Sequence, residues 1–176
     1  TVEEALEESG LKDWDLQKIP MSYTIRRPDP VYPDGYIEEH IQVDDVFAHL
    51  RMKDYKYLGP VGRDYQSIIN EFGFDVFKLL CDKDGLHIAK IQSAGSLRGG
   101  KRVWVLLSLP DSGFTVGNQK HPIIPFLLGT NAHDGTSAAR FLPTTVDVVC
   151  MNTLNAALGQ AYADLAVSIR HSGNMN

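Results

Sequence analysis

Two tight-turn signals within residues 90–140 constrain this chain more than any other feature of its sequence. Gly99 and Gly100 suit a two-residue turn, because both central residues of such a turn need a positive φ. Asp134 and Gly135 form the second signal, which is among the strongest for a hairpin. These turns separate strand-like runs at 89–98, 101–109, 123–132 and 137–142. The segment therefore predicts two β-hairpins in tandem.

The remaining segments add further strands and helices to these hairpins. Runs 46–51 and 55–61 flank a polar turn, and residues 144–150 alternate apolar and polar side chains as a strand does. Apolar residues recur at helical spacing over 67–81 and 151–167. The order predicts an α+β fold, in which an antiparallel sheet built from successive β-hairpins carries these two main helices on one face.

Charge divides the chain near residue 45. Residues 1–45 hold 12 acidic and 4 basic side chains, whereas residues 46–176 hold 10 acidic and 13 basic ones. A short helix with Thr1 as its N-cap begins the acidic part, which continues into a proline-rich connector at 26–35. We therefore predict an acidic N-terminal arm with a short helix over 1–45 and an α+β core domain over 46–176. The arm is a solvated face or lies on a basic patch of its own or a neighbouring subunit.

Composition argues against several classes of protein. The net charge of -5 argues against a generic nucleic-acid-binding protein and leaves room for a local basic patch. No apolar run approaches the roughly 18 residues of a membrane span. The two cysteines form no disulfide framework, which favours a reducing, cytoplasmic setting. Zinc-site spacing, a phosphate-binding P-loop and a dinucleotide fingerprint do not occur, so no metal or cofactor is expected.

Five motifs, taken in order, resemble a known family. They are Val61-Gly-Arg-Asp-Tyr65, Ala94-Gly-Ser-Leu-Arg-Gly-Gly-Lys-Arg-Val-Trp-Val105, Asn131-Ala-His-Asp-Gly-Thr-Ser137, Val148-Val-Cys-Met-Asn-Thr-Leu-Asn155 and Ile169-Arg-His-Ser-Gly-Asn174. Together they resemble the phage/plasmid-like protein family classed as domain of unknown function 932, from about Val2 to Asn174. The sequence departs from the family pattern at Arg63 and Asp64, which stand in reverse order, and at Met151, which replaces a polar residue. The resemblance implies a phage, prophage or plasmid setting and no particular activity.

The basic turn of the first hairpin is the main candidate binding site. Its cations and backbone N–H groups suit a phosphate backbone, and its glycines allow that backbone to approach closely. Trp104 shares a strand face with Arg102, so it either stacks on a base or packs in the core. An ordinary exposed turn is the alternative. The predicted nucleic-acid-binding residues are Arg98, Gly99, Gly100, Lys101, Arg102, Trp104, Arg140 and Arg170, with Tyr65 as a second stacking residue.

The leading functional hypothesis is a mobile-element DNA-metabolism protein that binds single-stranded DNA. It assembles into a homo-oligomer and acts in recombination or strand annealing. The hypothesis rests on the sheet-rich α+β core, the basic glycine-rich hairpin and the phage/plasmid resemblance. It predicts binding that weakens steeply with salt, because each neutralised phosphate releases counterions.

Two other hypotheses belong to different classes of protein. The first is a nuclease or another hydrolase, with or without a divalent metal, whose site is formed by His133, Asp134, Cys150 and His171. Against it, Asp134 has a simpler role as a turn residue and His133 as a partner of the backbone. The second is a non-catalytic protein-binding factor, such as a phage counter-defence protein, whose working surface is the acidic arm over 1–45.

Overall fold

The computed structural model describes residues 1–81, 86–118, 120, 122–159 and 165–172. Its strands form two antiparallel sheets, with orders β1-β2-β3 and β4-β5-β6-β7-β8. In chain order the elements are α1 (Val2–Glu8), β1 (Leu16–Pro28), β2 (Tyr36–Arg51), β3 (Lys56–Gly62), α2 (Asn70–Gly73), α3 (Asp75–Cys81), β4 (Lys90–Leu97), β5 (Arg102–Ser108), β6 (Phe126–Ala132), β7 (Ala139–Thr144), α4 (Met151–Leu158) and β8 (Val167–Ile169). The predicted α+β class is confirmed.

Both predicted hairpins are present in the five-stranded sheet. β4 pairs with β5 up to Leu97 and Arg102, so four residues rather than two form the connection. Within it Gly99 and Gly100 have φ values of 70° and 98°, which glycine adopts without the steric cost of a Cβ. β6 and β7 are joined through the second turn, where Gly135 has a φ of 74°.

Helices cover both faces of this sheet rather than the single face that the sequence predicts. The side chains of β5 are apolar on both faces of the sheet. Because successive side chains of a strand point to opposite faces, they contribute alternately to two hydrophobic cores, one on each face. Val103, Val105 and Leu107 pack with Leu6 of α1 and Phe77 of α3. On the other face, Trp104 and Leu106 pack with Leu154 and Ala157 of α4.

Three predicted elements differ from the structure. The helix predicted over 67–81 is broken at Phe74 into α2 and α3. Phe74 and Phe77 are buried, as is Ile68 before α2, whereas the apolar side chains of Phe72 and Val76 are exposed. Of the strand predicted over 144–150, only Thr144 is in a strand: it ends β7 and pairs with Phe126, whereas residues 145–150 pair with no strand among the described residues. The helix predicted over 151–167 includes α4, but Val167 belongs to β8; residues 160–164 lie outside the described residues.

The acidic N-terminal part is divided between the core and an exposed ribbon. Val2 and Leu6 of α1 are buried, as is Trp14, whose indole N–H donates to the carbonyl of Gly10 at 2.7 Å. Residues 22–42 of β1 and β2 pair only with each other, whereas residues 46–51 of β2 also pair with β3. The predicted domain boundary at residue 45 falls inside the continuous strand β2.

Candidate functional site

Four arginines that have no carboxylate partner among the described residues lie at one end of the five-stranded sheet. Arg98 follows β4, Arg102 begins β5, Arg140 lies near the start of β7 and Arg170 follows β8. In an antiparallel sheet the end of one strand lies beside the start of the next. All four arginines therefore lie along the same edge of the sheet, the one formed by these strand ends. None of them forms a salt bridge with any residue that the structure describes. Arg98, Lys101, Arg102, Arg140 and Arg170 are called the basic surface below.

The other four of the chain's eight arginines are all neutralised. They form ion pairs, which are Arg26 with Glu38 (2.8 Å), Arg27 with Glu39 (3.1 Å), Arg51 with Asp54 (2.7 Å) and Arg63 with Asp45 (2.6 Å). Among the described residues, the arginines without an ion pair are therefore confined to this end of the sheet. They do not reflect a general shortage of acidic side chains, since the chain carries more acidic than basic residues.

Arg102 is the most enclosed of the arginines of the basic surface. Its guanidinium is half-buried and donates to Thr136 Oγ1 at 3.2 Å. Burial lowers the pKa of this guanidinium, Asp134 opposes the shift, and the neighbouring charges of Arg98 and Arg140 add to it. A cation that is desolvated beside two like charges is stabilised by an incoming anion.

The glycines of the basic turn face the protein itself. A Cβ on Gly100 would lie 2.7 Å from the guanidinium of Arg51 and 3.0 Å from the indole of Trp14. A Cβ on Gly99 would lie 3.1 Å from the side chain of Lys56. These two positions therefore allow β3 and Trp14 to pack against the turn, so the close approach expected there is made by the chain's own side chains.

The two aromatic residues predicted to stack on bases are buried. Trp104 is 6% exposed and donates to Ser93 Oγ at 3.3 Å, and Tyr65 is 9% exposed. Tyr57, which the sequence analysis did not single out, is 42% exposed and lies beside the basic surface, with the Lys101 ammonium 5.9 Å from its ring centroid. The sequence gives no sign that Tyr57 could contact a nucleic acid. Only the packing of β3 against the basic turn brings this tyrosine beside the basic surface.

A cleft of about 380 Å³ opens beside the basic surface where three segments meet. Its lining consists of Gly62, Arg63, Asp64, Tyr65, Gly135, Ser137, Ala138, Arg170, His171 and Ser172. All of these residues except Ala138 come from the first, third and fifth of the motifs that carry the family resemblance. Asp64 and Arg170 are exposed, and within the described part of the chain neither forms a hydrogen bond or an ion pair. Motifs that are far apart in sequence thus line one polar concavity.

Beneath the cleft, His171 stacks on Tyr65. Their ring centroids lie 4.7 Å apart at an interplanar angle of 9°. Nδ1 of His171 donates to the carbonyl of Gln66 at 3.0 Å, and the Tyr65 hydroxyl donates to the carbonyl of Ala132 at 3.3 Å. Burial lowers the pKa of His171 and raises that of the Tyr65 phenol, so both side chains are neutral. Nε2 of His171 is buried without a partner among the described residues.

Two further histidines are buried behind this pair. Nε2 of His133 donates to Asn70 Oδ1 at 2.8 Å, because the amide nitrogen of Asn70 donates in turn to the carbonyl of Leu11. His49 donates from Nδ1 to the carbonyl of His133 at 2.6 Å and accepts from Ser67 at Nε2. Burial lowers the pKa of His133 to about 3 and also lowers that of His49. All three histidines are therefore neutral, and their hydrogen bonds connect the two sheets, the N-terminal segment and the residues below the cleft.

The residues of the alternative hydrolytic site are not assembled into a nucleophile–base pair. No hydrogen bond between described residues joins any two of His133, Asp134, Cys150 and His171. Asp134 accepts from the backbone N–H and hydroxyl of Thr136, at 3.1 and 2.5 Å, as a turn residue does. Cys150 is exposed at the start of α4, and its hydrogen bonds to Thr153 and the Asn152 backbone lower the pKa of its thiol. The buried, neutral His133 lacks the basicity that a general base needs near neutral pH.

A metal-ligand cluster and a membrane-spanning helix are both absent from the described residues. No group of three or more histidine, cysteine, aspartate or glutamate side chains in these ranges is arranged to hold a metal ion. None of the helices there has the length and apolar character that crossing a bilayer requires.

Comparison with known proteins gives one match. The family described as Domain of unknown function (DUF932) matches residues 57–176, which extends from β3 to the end of the chain and includes the whole lining of the cleft and the basic surface. α1, β1 and β2 lie outside the match. No curated protein and no solved structure matches the chain.

Proposed function

Because this chain belongs to the DUF932 family, whose domain has no known function, its activity must be inferred from its surface, and we propose that it binds single-stranded nucleic acid. The observation that carries the proposal is the set of four arginines at one end of the sheet that have no ion pair among the described residues, whereas the other four arginines of the chain are all ion-paired. Unpaired arginines grouped on one surface are the electrostatic footprint of a protein that contacts phosphates.

The spacing of the cations favours an extended polyanion over a single ion. Arg102 begins β5, Arg140 lies in β7 and Arg170 follows β8, so together they cross three strand spacings. Neighbouring strands lie about 4.8 Å apart, which places the outer two cations on the order of 14 Å apart. A chain of phosphates can contact all of them, whereas one small anion cannot.

The preference for a single strand rests on Tyr57. Its exposed ring lies beside Lys101, and base stacking on an aromatic side chain requires a base that is not already stacked in a duplex. Tyr57 thereby takes the role that the sequence analysis gave to Trp104 and Tyr65, which are buried.

Assembly into an oligomer, an annealing or recombination role and a phage or plasmid setting are the finer parts of this proposal. The family resemblance supports the setting only, and the exposed ribbon of residues 22–42 has surface available for a neighbouring subunit. Size-exclusion chromatography with light scattering, run with and without an oligonucleotide, tests the oligomeric part.

The experiment that tests binding compares two sets of arginine variants. In a fluorescence-anisotropy titration of a labelled single-stranded oligonucleotide, the triple variant Arg98→Ala, Arg102→Ala, Arg140→Ala is expected to bind more weakly. It should also reduce the slope of log affinity against log salt by about 2, because each single-strand phosphate contact contributes about 0.7.

The matched control is the double variant Arg26→Ala, Arg27→Ala, which removes two exposed but ion-paired arginines from the ribbon. It should bind as the wild-type protein does. Equal affinity and equal salt slope for the triple variant and the wild type would show that the basic surface is not the binding site.

A further inference from the structure

We propose that the cleft beside the basic surface holds one nucleotide of the bound strand and selects guanine, with Asp64 on the base and Arg170 on the phosphate. This inference rests on the proposed function and names the base specificity of the same site. It adds a sequence preference that a surface of arginines alone does not give, because phosphate contacts position a nucleic acid without reading its bases.

The cleft has the size and position that a nucleotide of the bound strand requires. Its volume of about 380 Å³ lies within the range of small-molecule sites. Thr136, which accepts from the guanidinium of Arg102, stands between Gly135 and Ser137 of the lining. Arg140 pairs with Ser168 in the sheet, two residues before Arg170 of the lining. A strand that follows the basic surface therefore reaches the cleft without a break.

The cleft offers two charged groups of opposite sign that nothing else in the described structure engages. Asp64 is an exposed carboxylate and Arg170 an exposed guanidinium, and neither has a partner there. Arg63 is already paired with Asp45 at 2.6 Å. A ligand that satisfies both Asp64 and Arg170 carries hydrogen-bond donors at one end and an anion at the other. A nucleotide of the bound strand meets this requirement, whereas a free phosphate does not.

The carboxylate determines which base fits. An ionised carboxylate has two acceptor oxygens and no donor. Guanine presents a ring N–H and an exocyclic amino group side by side on its Watson–Crick edge, so it can donate to both oxygens at once. Adenine and cytosine present one amino group next to an acceptor, and thymine presents one ring N–H between two carbonyls. Guanine is therefore the base that a carboxylate binds in bidentate fashion.

The serines and the floor of the cleft support the same assignment. Ser137 and Ser172 add hydroxyl donors near Arg170, where they can bind phosphate oxygens. The Tyr65 and His171 rings are stacked on each other, which makes the floor rigid. The base is thus recognised by its edge, while stacking of the strand is provided outside the cleft at Tyr57.

Mononucleotides test this inference without relying on the rest of the strand. Calorimetric titration of deoxyguanosine and thymidine 5′-monophosphates is expected to show roughly tenfold tighter binding of the guanine nucleotide. Asp64→Asn should abolish this preference, whereas Asp44→Asn, at an exposed position of β2, should retain it. Arg170→Ala should weaken both nucleotides alike. Arg26→Ala, on the ribbon and outside both the cleft and the basic surface, should leave both unchanged. Equal binding of the two nucleotides by the wild-type protein, or an unchanged preference in Asp64→Asn, would overturn the inference.

Oligonucleotides separate failure of this inference from failure of the proposed function. An oligothymidylate with a single central guanine should bind more tightly than the same oligomer of thymine alone. If both bind equally with steep salt dependence, the basic surface binds nucleic acid and the guanine site is wrong. If neither binds at low salt, the proposed function itself is wrong. Circular dichroism of each variant establishes that it is folded. The comparison of the two oligonucleotides uses the wild-type protein alone, so it does not depend on the folding of a variant.

Discussion

At the scale of single residues, the histidines buried between the two sheets determine how stability depends on pH. His49, His133 and His171 are neutral in the folded protein, because burial lowers the pKa of each below the usual value of 6.5. The unfolded chain binds protons at these positions first as the pH falls. Stability is therefore full above about pH 6.5 and decreases toward the lowered folded-state values, which for His133 is about 3.

This pH dependence can be measured by urea denaturation at about pH 7 and about pH 5. Each histidine that is protonated only in the unfolded state costs up to about 1.4 kcal/mol per pH unit below its unfolded pKa. We expect a clear loss of unfolding free energy at the lower pH, and a smaller loss in His171→Gln. His40→Gln, on the exposed ribbon, should lose as much as the wild type. Stability that is unchanged or higher at pH 5 would contradict this account.

Gly129 is a second residue whose environment yields a prediction. A Cβ at this position would lie 2.7 Å from the ring of Phe77 and 3.0 Å from that of Phe74, both fully packed side chains. Gly129→Ala should therefore lower the unfolding free energy by about 1–3 kcal/mol through overpacking. Gly62→Ala, where a Cβ meets nothing within 4 Å, is the control. Chemical denaturation measures the unfolding free energy of both variants. Equal stability of the two would contradict the prediction, because it would show that the Phe77 ring of α3 moves aside for the added methyl group at little cost.

At the scale of elements, the β1–β2 ribbon is expected to be dispensable for folding of the core. Its outer residues 22–42 pair only with each other, and isolated two-stranded ribbons contribute little stability in water. Replacing residues 23–41 by Asn-Gly should leave the cooperative thermal transition of the core within a few degrees of the wild type.

The same truncation separates two functional hypotheses. If the basic surface binds nucleic acid, the truncated protein should keep its affinity for a single strand, because none of the basic surface lies in the ribbon. If the acidic arm is instead the working surface of a protein-binding factor, partner binding should be lost with the ribbon. Loss of the cooperative transition itself would mean that the ribbon is part of the folded core.

The sequence predicts those elements whose signal is local. Both hairpins were predictable because glycine at Gly99, Gly100 and Gly135 marks positive φ, and the N-cap at Thr1 is likewise confirmed. The break between α2 and α3 was not predictable from periodicity. It depends on Phe74 and Phe77 fitting over Gly129, a contact between distant parts of the chain.

The candidate site shows the same division. Arg98, Lys101 and Arg102 were named from sequence because they cluster around a glycine turn, whereas Arg140 and Arg170 join them only through the pairing of the sheet. The cleft was not predicted, because residues 62–65, 135–138 and 170–172 meet only after β7 and β8 join the sheet. Likewise, the burial of Trp104 follows from packing of α4 on its face of the sheet, which alternation along a strand does not reveal.

At the scale of the whole molecule, charge is distributed in a way that bulk composition conceals. The net charge of -5 describes a protein that should repel nucleic acid, yet its acidic excess lies in residues 1–45. The edge of the five-stranded sheet retains unpaired cations, and it lies within the part of the chain that the family match covers. Contact with a polyanion at that edge is a local property, which is consistent with an acidic chain as a whole.

The most direct test of this account is the salt dependence of wild-type binding to a single-stranded oligonucleotide and to its duplex, measured by anisotropy between about 50 and 200 mM salt. The account predicts tighter binding to the single strand, with a slope of log affinity against log salt of about -3, because four arginines each contribute about 0.7. Absence of binding at the lower salt concentration, a slope near zero or tighter binding to the duplex would contradict it.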